Sequence, residues 1–234
     1  EAGFRGLVIC LADGATDIRI EGDRGAVQAG ASLQVFARRC QRAGQTGMEF
    51  GSGIPGTVGG AIRGNAGAWG SETLDWLLWL RGVDLASGQD IHLRQDEITY
   101  GYRRADLPEG ILVMEAAFRL EPDDPQAVQQ RMDEMLSRRK ASQPVWQRNA
   151  GCIFKNPPGA SAGQLIDQAG CKGMAEGGVT VSGLHANFMV NDGSASASDV
   201  LGLIEKVRER VRASHGVELQ LEVRLVGEHG LVSL

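Results

Sequence analysis

Glycine dominates one segment of the chain, residues 51–70, which reads GSGIPGTVGGAIRGNAGAWG. Eight of its twenty residues are glycine, and none is Asp, Glu or Lys. Glycine lets another group approach the backbone closely, and it permits the positive φ angles that turn successive amides toward an anion. The segment therefore favours either a cradle for an anionic cofactor or a chain of turns, and the residues alone leave both open. It fits neither the P-loop pattern nor a Rossmann strand–helix context.

Arg103, Cys152, His185 and Glu222 are of types that can serve in catalysis, but their types alone do not set them apart from the other Arg, Cys, His and Glu residues of the chain. Arg103 could hold a carboxylate, although the adjacent Arg104 is equally basic. Cys152 could donate a proton, or act as a nucleophile with His185, whereas a buried thiol and a packed histidine are the plainer interpretations. Glu222 could serve as an acid or be a solvated residue on the polar face of a strand. We do not assign His185 to catalysis, because no residue is placed to orient it.

The composition narrows the class of protein. A chain of 234 residues can bury a real core in one domain or in two modest ones. The net charge of −5 offers no basic patch for nucleic acid, and no apolar run approaches the length of a membrane span or signal peptide. The four cysteines lack CxxC spacing, which argues against a zinc site or a disulfide framework. We expect a soluble cytoplasmic protein that binds neither nucleic acid nor membranes.

The elements that position these residues follow from periodicity and turn signals. Short apolar runs within 4–31 and 74–120, separated by Gly and Asp, predict strands, and the run VELQLEVRLVG at 217–227 predicts a terminal one. Caps and apolar faces predict four helices: from Ser32 to Gly44, from Pro125 to Pro144, from Ser161 to Gly170, and from a cap at Ser198 onward. The predicted fold class is α+β with mixed sheets.

The glycine segment and four other motifs together resemble one enzyme family. IPGTVGGAIRGNAGAWG is similar to the FAD-binding signature of the UDP-N-acetylenolpyruvoylglucosamine reductases, flavoenzymes of peptidoglycan precursor synthesis. GYRRADLP at 101–108 resembles the family's Tyr-Arg motif, and NAGCIFKNP at 149–157 its catalytic loop. VSGLHANFMVN at 181–191 and LEVRLVG at 221–227 resemble strands of the substrate domain and the C-terminus. Five motifs in the family's order are far more specific than any one of them.

The resemblance implies a vanillyl-alcohol-oxidase-type FAD-binding domain with mixed sheets and helices, and a separate α+β substrate-binding domain. We expect the FAD-binding domain at 1–120, the substrate-binding domain at 121–215, and a terminal strand at 216–234 that returns the catalytic Glu to the FAD-binding region. The family's Gly-Gly-Gly-Ser-Asn loop is missing from the sequence. The FAD-binding domain is therefore expected to be incomplete, and the alternative function is a non-catalytic fragment that binds the UDP-sugar but not FAD. Short intervals between motifs resemble the family's shorter, second form.

The resemblance also implies the reaction, in which NADPH reduces FAD and the flavin hydride passes to the methylene carbon of UDP-N-acetylglucosamine enolpyruvate. The product is UDP-N-acetylmuramate. Arg103 matches the catalytic arginine that stabilises charge on the carboxylate, Glu222 matches the acid, and Cys152 stands where the family commonly has a serine proton donor. A thiol of ordinary pKa, about 8.5, donates only while protonated. We expect activity to fall on the alkaline side, and iodoacetamide to inactivate the enzyme more slowly when substrate is bound.

The remaining site residues are also implied by the resemblance. Residues of the glycine segment are expected to hold FAD, with Thr57 and Asn65 as the polar side chains: Gly53, Ile54, Pro55, Gly56, Thr57, Gly59, Gly60, Asn65 and Gly67. The small-molecule substrate is expected to contact Tyr102, Lys155, Asn156 and Gln164. No metal is expected, and we expect a monomer. The other cysteines, Cys10, Cys40 and Cys171, are interpreted as small buried thiols.

Overall fold

The computed structural model describes residues 3–232, which fall into two compact units. The N-terminal unit is Val8–Arg138, and the C-terminal unit begins at Arg139 and includes the described residues up to Leu7. Helices and sheets occur in both units, which confirms the α+β class. No helix among residues 3–232 is long and apolar enough to cross a lipid bilayer.

The N-terminal unit is built on one five-stranded sheet. The unit as a whole contains the strands β1 (Ile18–Glu21), β2 (Arg24–Gln28), β3 (Gln45–Thr46), β4 (Gly67–Ala68), β5 (Ser71–Glu72), β6 (Leu77–Asp84), β7 (Asp90–Arg94), β8 (Tyr100–Gly101), β9 (Arg104–Ala105), β10 (Ile111–Arg119) and β11 (Glu121–Pro122). Its helices are α1 (Leu33–Arg42), α2 (Val58–Arg63) and α3 (Pro125–Ser142), and α3 extends past Arg138. The sheet order is β1-β2-β10-β6-β7. Every pairing between described strands is antiparallel, so the predicted mixed sheets are wrong. Short turns explain the antiparallel pairs β1–β2 and β6–β7, whereas β10 joins β2 and β6 across long connections that the sequence pattern does not orient.

Helix α1 follows the prediction from its cap and apolar face. Ser32 Oγ accepts the amide of Val35 at 3.4 Å, which satisfies one donor of the first turn. Phe36 is fully buried and its ring lies 5.4 Å from that of Phe118 on β10. Burying an aromatic side chain of this size contributes on the order of 2 kcal/mol. The helix therefore fixes the connection after β2, on which the glycine segment rests.

The compact units differ from the domains that the sequence predicts. Val128 and Met132 of α3 are buried in the same core as α1 and β10, so the helix begins within the N-terminal unit and not beyond a boundary at Leu120. Residues 216–232 belong to the C-terminal unit, where Leu219 is buried and Leu221 packs against its core. The functional assignment of 1–120, 121–215 and 216–234 stays a prediction.

The C-terminal unit holds a four-stranded sheet with order β12-β15-β14-β13. Its elements are β12 (Asn149–Cys152), α4 (Ala162–Gln168), β13 (Ala175–Glu176), β14 (Val179–Val181), β15 (Phe188–Asn191), α5 (Ala197–His215), β16 (Leu225–Gly227) and β17 (Gly230–Val232). The predicted apolar face of α5 is buried, as Leu203, Ile204, Val207 and Val211 show. Its cap is Ser196 and not Ser198, because Ser196 Oγ accepts the amide of Asp199 while the Asp199 carboxylate accepts the amide of Ser196.

Two strand predictions are wrong. Residues 6–11 form no strand; they are exposed apart from the partly exposed Leu11, and a strand there would need a neighbour to pair with. The segment 217–224 makes an isolated antiparallel bridge between Phe154 and Leu221, and regular pairing starts only at β16. In both places the apolar pattern is present, but backbone pairing decides whether a strand forms.

Candidate active site

The glycine segment lies in the N-terminal unit, where a 3₁₀ turn at Glu49–Gly53 leads through a loop into α2. The loop is bonded to the connection between β2 and α1. Gly56 O accepts the first amide of α1 at 3.1 Å, and Val58 N donates to a carbonyl of the connection at 2.8 Å. Thr57 Oγ1 accepts the amide of Gly60 at 3.3 Å and so caps α2. The predicted cofactor residues from Gly53 to Gly60 thus form one continuous loop and helix start.

The glycines of this segment serve two purposes. A Cβ on Gly59 would lie 2.9 Å from Ala29 Cβ, and one on Gly67 would lie 2.6 Å from Ser71 O, so these positions exclude larger residues because the chain packs against itself. Gly56 differs, because it has φ +119° and a Cβ there would meet nothing within 4 Å. Its backbone is exposed. The open part of the segment is therefore the loop around Gly56.

The residues of this loop fit an anionic cofactor such as FAD. Within residues 3–232 the amides of Gly56 and Thr57 have no acceptor, and Pro55 between Ile54 and Gly56 carries no amide hydrogen. Ser52 is only 5% exposed, yet its Oγ has no hydrogen-bond partner in the described chain. A buried hydroxyl without a partner costs free energy unless a bound group satisfies it. Two open amides and one orphan hydroxyl are the donors that a diphosphate or a polar flavin edge would use.

Arg103 lies on the turn between β8 and β9, beside the glycine segment. Its Nη1 donates to Gly67 O at 3.4 Å, and its guanidinium lies 5.1 Å from the centre of the Tyr102 ring. Arg103 itself has φ +54°, a left-handed conformation that is rare for a residue with a Cβ. Arg104 instead pairs with Asp106 at 3.1 Å. The geometry favours Arg103 over Arg104 as the cation of the site.

Asn65 is fully buried and its side chain is engaged by protein groups. Its Nδ2 donates to Glu72 Oε2 at 2.6 Å and to Gly101 O at 3.0 Å, and its Oδ1 accepts the amide of Leu74 at 3.0 Å. These bonds leave the predicted flavin contact of Asn65 a prediction, as they do for Thr57, whose Oγ1 caps α2. Asn65 connects the glycine segment to the turn that carries Arg103.

In the C-terminal unit the structure brings Cys152 and Glu222 together along the backbone. Cys152 ends β12 and pairs with Phe188 of β15. The next residue, Ile153, accepts the amide of Glu222 at 2.8 Å through its carbonyl and donates its own amide to Asn187 O at 2.9 Å. Both predicted catalytic residues are half-buried. Glu222 is thus bonded through its backbone to the residue that follows Cys152, whereas Arg103 belongs to the other unit.

Asn187 is a residue of this region to which the sequence assigned no role. It is only 3% exposed, its Oδ1 accepts the amide of Phe154 at 2.9 Å, and its Nδ2 donates to Phe154 O at 2.8 Å. This pair of bonds fixes the backbone between Cys152 and Lys155. The available signal was a polar residue between the apolar Ala186 and Phe188, since a buried amide in such a position must find partners.

The predicted substrate residues of the C-terminal unit follow directly after this backbone. Lys155 is half-buried and donates its amide to Gln220 O at 2.8 Å. Asn156 Oδ1 accepts the amide of Ala162 at 3.0 Å, which uses this oxygen at the start of α4. The amide of Gln164 donates to the capping Ser161, so its own side chain is exposed on the first turn. The three residues lie on one connected loop and helix start.

His185 behaves as a packed histidine. Its Nδ1 accepts the amide of Asn187 at 3.2 Å, which places the ring proton on Nε2, and its ring meets Phe188 edge-on at 4.9 Å. Burial holds the pKa of His185 below its ordinary value, so the ring is neutral near pH 7. These contacts support the packed, hydrogen-bonding histidine over the Cys–His nucleophile.

The other cysteines separate into two groups. Burial, followed by the nearby Glu49 carboxylate, raises the pKa of Cys40 to about 12, and burial raises the pKa of Cys171. Both are buried thiols, as predicted. Cys10 is exposed, so its interpretation as a buried thiol is wrong. No cluster of three or more His, Cys, Asp or Glu side chains suited to a metal ion occurs in the described part of the chain.

Two family models match the sequence in succession. Residues 1–94 match the model described as "FAD binding domain", and residues 143–226 match "UDP-N-acetylenolpyruvoylglucosamine reductase, C-terminal domain". The first match contains the loop around Gly56, and the second contains Cys152 and Glu222.

Individual relatives match nearly the whole chain. A UDP-N-acetylenolpyruvoylglucosamine reductase from Parvibaculum lavamentivorans is 44% identical over 97% of this chain and 73% of its own length. One from Gluconobacter oxydans is 42% identical over 97% of this chain and 74% of its own. The crystal structure of the reductase from Thermus caldophilus superimposes with a TM-score of 0.76 at 38% identity, and covers 87% of this chain and 74% of that one.

Proposed function

The chain belongs to the UDP-N-acetylenolpyruvoylglucosamine reductase family, and from this premise we propose that it reduces UDP-N-acetylglucosamine enolpyruvate to UDP-N-acetylmuramate. It is an FAD-dependent oxidoreductase that uses NADPH and acts in peptidoglycan precursor synthesis. We further propose that it works as a monomer in the cytoplasm. The relatives carry the reductase name over almost the whole chain, and each unit carries residues whose types suit this reaction.

The reaction needs a fixed cation, a hydrogen-bonding acid and a proton donor. When bound, FAD supplies the hydride that NADPH provides and that the enolpyruvyl methylene carbon receives. Arg103 stabilises the negative charge that develops on the substrate carboxylate, because its planar fork matches a carboxylate. Glu222 supports the same charge as a hydrogen-bonding acid, and Cys152 Sγ delivers the proton to the neighbouring carbon. These roles account for the electron pair and the proton that the double bond takes up.

The observation that carries this proposal is the backbone register of Cys152 and Glu222. Glu222 donates its amide at 2.8 Å to the carbonyl of Ile153, the residue after Cys152, so the two backbones run side by side although they are far apart in sequence. A general acid and an assisting acid must lie within hydrogen-bond reach of one substrate, and this backbone bond supports the proposal that Cys152 and Glu222 act together.

The residues of each unit divide the binding work. We propose that FAD is held by the loop and helix start that carry Gly53, Ile54, Pro55, Gly56, Thr57, Gly59 and Gly60, with Gly67 close to Arg103 and Ser52 as an added donor. For the UDP-sugar we propose Tyr102 from the N-terminal unit, and Lys155, Asn156 and Gln164 from the C-terminal unit. Tyr102 is exposed and stacked on Arg103, which suits contact with a ligand.

The visible absorption spectrum of the purified chain with added FAD tests the function directly. The expected result is flavin bands that bleach with NADPH and recover when the enolpyruvyl substrate is added without air. Bands that bleach but do not recover would refute the assigned substrate. A colourless protein would refute the FAD assignment.

A further inference from the structure

We propose that Asn65 is a positioning residue for Arg103, holding the left-handed turn that aims its guanidinium. This inference rests on the proposed function, since it matters only if Arg103 acts on the substrate. The link is direct: Asn65 Nδ2 donates to Gly101 O at 3.0 Å, and Gly101 opens the turn that carries Arg103. No other role of the glycine segment requires this bond.

The side chain of Asn65 has a single possible orientation. Leu74 N is a donor, so it must face Oδ1, whereas Glu72 Oε2 and Gly101 O are acceptors and must face Nδ2. The side chain is 0% exposed, so water cannot replace any of these partners. The hydrogen that reaches Gly101 O is therefore fixed in direction by two other contacts.

The backbone around this contact contains several residues in the left-handed conformation. Across residues 3–232, three non-glycine residues have positive φ: Asn65 at 40°, Trp69 at 60° and Arg103 at 54°. All three lie in the glycine segment or on the turn bonded to it. Left-handed backbone disfavours a residue with a Cβ, and such conformations persist only where the surroundings hold them. Asparagine tolerates this backbone better than arginine does, so Arg103 depends more on outside support.

Hydrogen bonds connect the turn to the glycine segment. They include the Asn65 bond to Gly101 O and a second link, the contact from Arg103 Nη1 to Gly67 O at 3.4 Å. The second link uses the guanidinium that must turn to a carboxylate in the reaction. Asn65 therefore supplies the support that does not compete with substrate.

The test separates the two half-reactions of the FAD-loaded enzyme by stopped-flow absorbance. Asn65→Ala and the isosteric Asn65→Asp should slow reoxidation of the reduced flavin by the enolpyruvyl substrate roughly 10- to 100-fold, as misplacing a catalytic group does. Reduction by NADPH should stay within about twofold. Asp keeps the shape but turns an oxygen toward Gly101 O and the Glu72 carboxylate.

Thr73→Val is the matched control. Thr73 is also 0% exposed, and its Oγ1 donates at 2.7 Å to the carbonyl of Ala66, the neighbour of Asn65 in the glycine segment, but no hydrogen bond joins Thr73 to the Arg103 turn in the described chain. It should lower stability without slowing reoxidation selectively. If Asn65→Ala does not fold, Glu72→Ala removes the acceptor that orients the amide, and it should produce the same selective slowing to a smaller extent.

The Arg103→Ala background distinguishes the possible failures. Adding Asn65→Ala there should slow reoxidation no further, since residues that act as a unit are not additive. If substrate does not reoxidise the wild-type flavin, the proposed function fails. If Arg103→Ala is slow but Asn65→Ala is not, only the positioning role is overturned. Equal slowing of both half-reactions, or further slowing in the double variant, would also overturn it by showing general loosening.

Discussion

The two units use the same residue type to hold their proposed catalytic groups, but on different backbone. Asn65 in the N-terminal unit donates a hydrogen bond to Gly101 O. Asn187 in the C-terminal unit accepts the amide of Phe154 and donates to its carbonyl. The first holds a left-handed turn, with Arg103 at φ +54°. The second holds extended backbone at Phe154. The preceding residue, Ile153, is bonded to Asn187 O on one side and to the amide of Glu222 on the other.

Because of this difference, we expect loss of Asn65 to affect mainly the geometry of the site and loss of Asn187 to affect mainly the stability of the fold. A left-handed turn has few alternative contacts, so losing Asn65 should disturb the aim of Arg103 before it disturbs the fold. Paired backbone has redundant bonds, so losing Asn187 should cost stability before it misplaces Cys152. A cation that must point one way can thus be carried on strained backbone, whereas a donor and an acid that must keep a mutual distance are carried on paired backbone.

The largest expected effect tests the N-terminal half of the comparison. Arg103→Ala should slow flavin reoxidation by substrate about 10³-fold, because the charge on the carboxylate loses its fixed partner. Arg103→Lys should recover only part of the rate, since an ammonium lacks the planar fork. Stopped-flow absorbance of each half-reaction measures both. Equal loss in reduction by NADPH would mean that Arg103 supports the flavin site and not the substrate.

The next effect tests the C-terminal half. Cys152→Ala should slow reoxidation about 10²-fold through loss of the proton donor, and Cys152→Ser should keep more of the rate. Cys10 is exposed and would also react with iodoacetamide, whereas Cys40 and Cys171 are buried, so the alkylation test uses the Cys10→Ser variant. Iodoacetamide should inactivate this variant, and bound substrate should slow the inactivation. Mass spectrometry locates the adduct. Full turnover after alkylation of Cys152 would exclude it as the donor.

Asn187→Ala should sharpen the contrast with Asn65. It leaves the buried amide and carbonyl of Phe154 without side-chain partners, which costs about 1–3 kcal/mol of unfolding free energy. Asn187→Asp keeps the acceptor for the amide and should cost less at that group. Urea unfolding of the flavin-loaded protein measures the free energy. Loss of reoxidation rate without loss of stability would break the comparison.

The smallest effect concerns Glu49, which is 7% exposed beneath the glycine segment. Burial pushes the pKa of Glu49 up, but hydrogen bonds from Thr46, from Arg131 and from backbone amides outweigh it and hold the pKa below its ordinary value. This carboxylate therefore stabilises the fold above its unfolded pKa of about 4.3, and that stability is lost as pH falls through the lower folded value.

Glu49→Gln should accordingly lower the unfolding free energy by about 1 kcal/mol near neutral pH, with the difference shrinking in acid. Glu115→Gln is the control, because its partners Arg19 and Arg81 are exposed and such pairs contribute little. Urea unfolding across the acidic range measures both variants. A difference for Glu49→Gln that persisted in strong acid would contradict the stabilisation assigned to the ionised Glu49 carboxylate.

The sequence predicted helices better than strands, for a physical reason. The helices that begin after Ser32 and Ser161 carry their caps and apolar faces within a few residues, so the local pattern suffices. Strands depend on distant partners, and for that reason residues 6–11 read as a strand but form none. The cap of α5 was misplaced because Ser196 and Ser198 both precede its apolar face, and only the reciprocal bond with Asp199 decides.

The site shows the same limit. The types of Arg103, Cys152 and Glu222 suggest chemistry, but choosing Arg103 over Arg104 needed either the family motif or the pairing of Arg104 with Asp106. The glycines at 59 and 67 resemble cofactor contacts, but the close approach of Ala29 and Ser71 is by itself enough to require glycine there, whether or not they also contact FAD. Such packing depends on elements far apart in the chain, and no spacing rule reports it.

At position 103, the residue that best fits the left-handed backbone differs from the residue that the proposed activity needs. Glycine would adopt φ +54° without a steric penalty, so Arg103→Gly should relax the turn and firm up the fold while removing the proposed cation. A protein library screened only for heat resistance would enrich this change and lose the enzyme. Stability and the proposed activity therefore favour different residues at this one position.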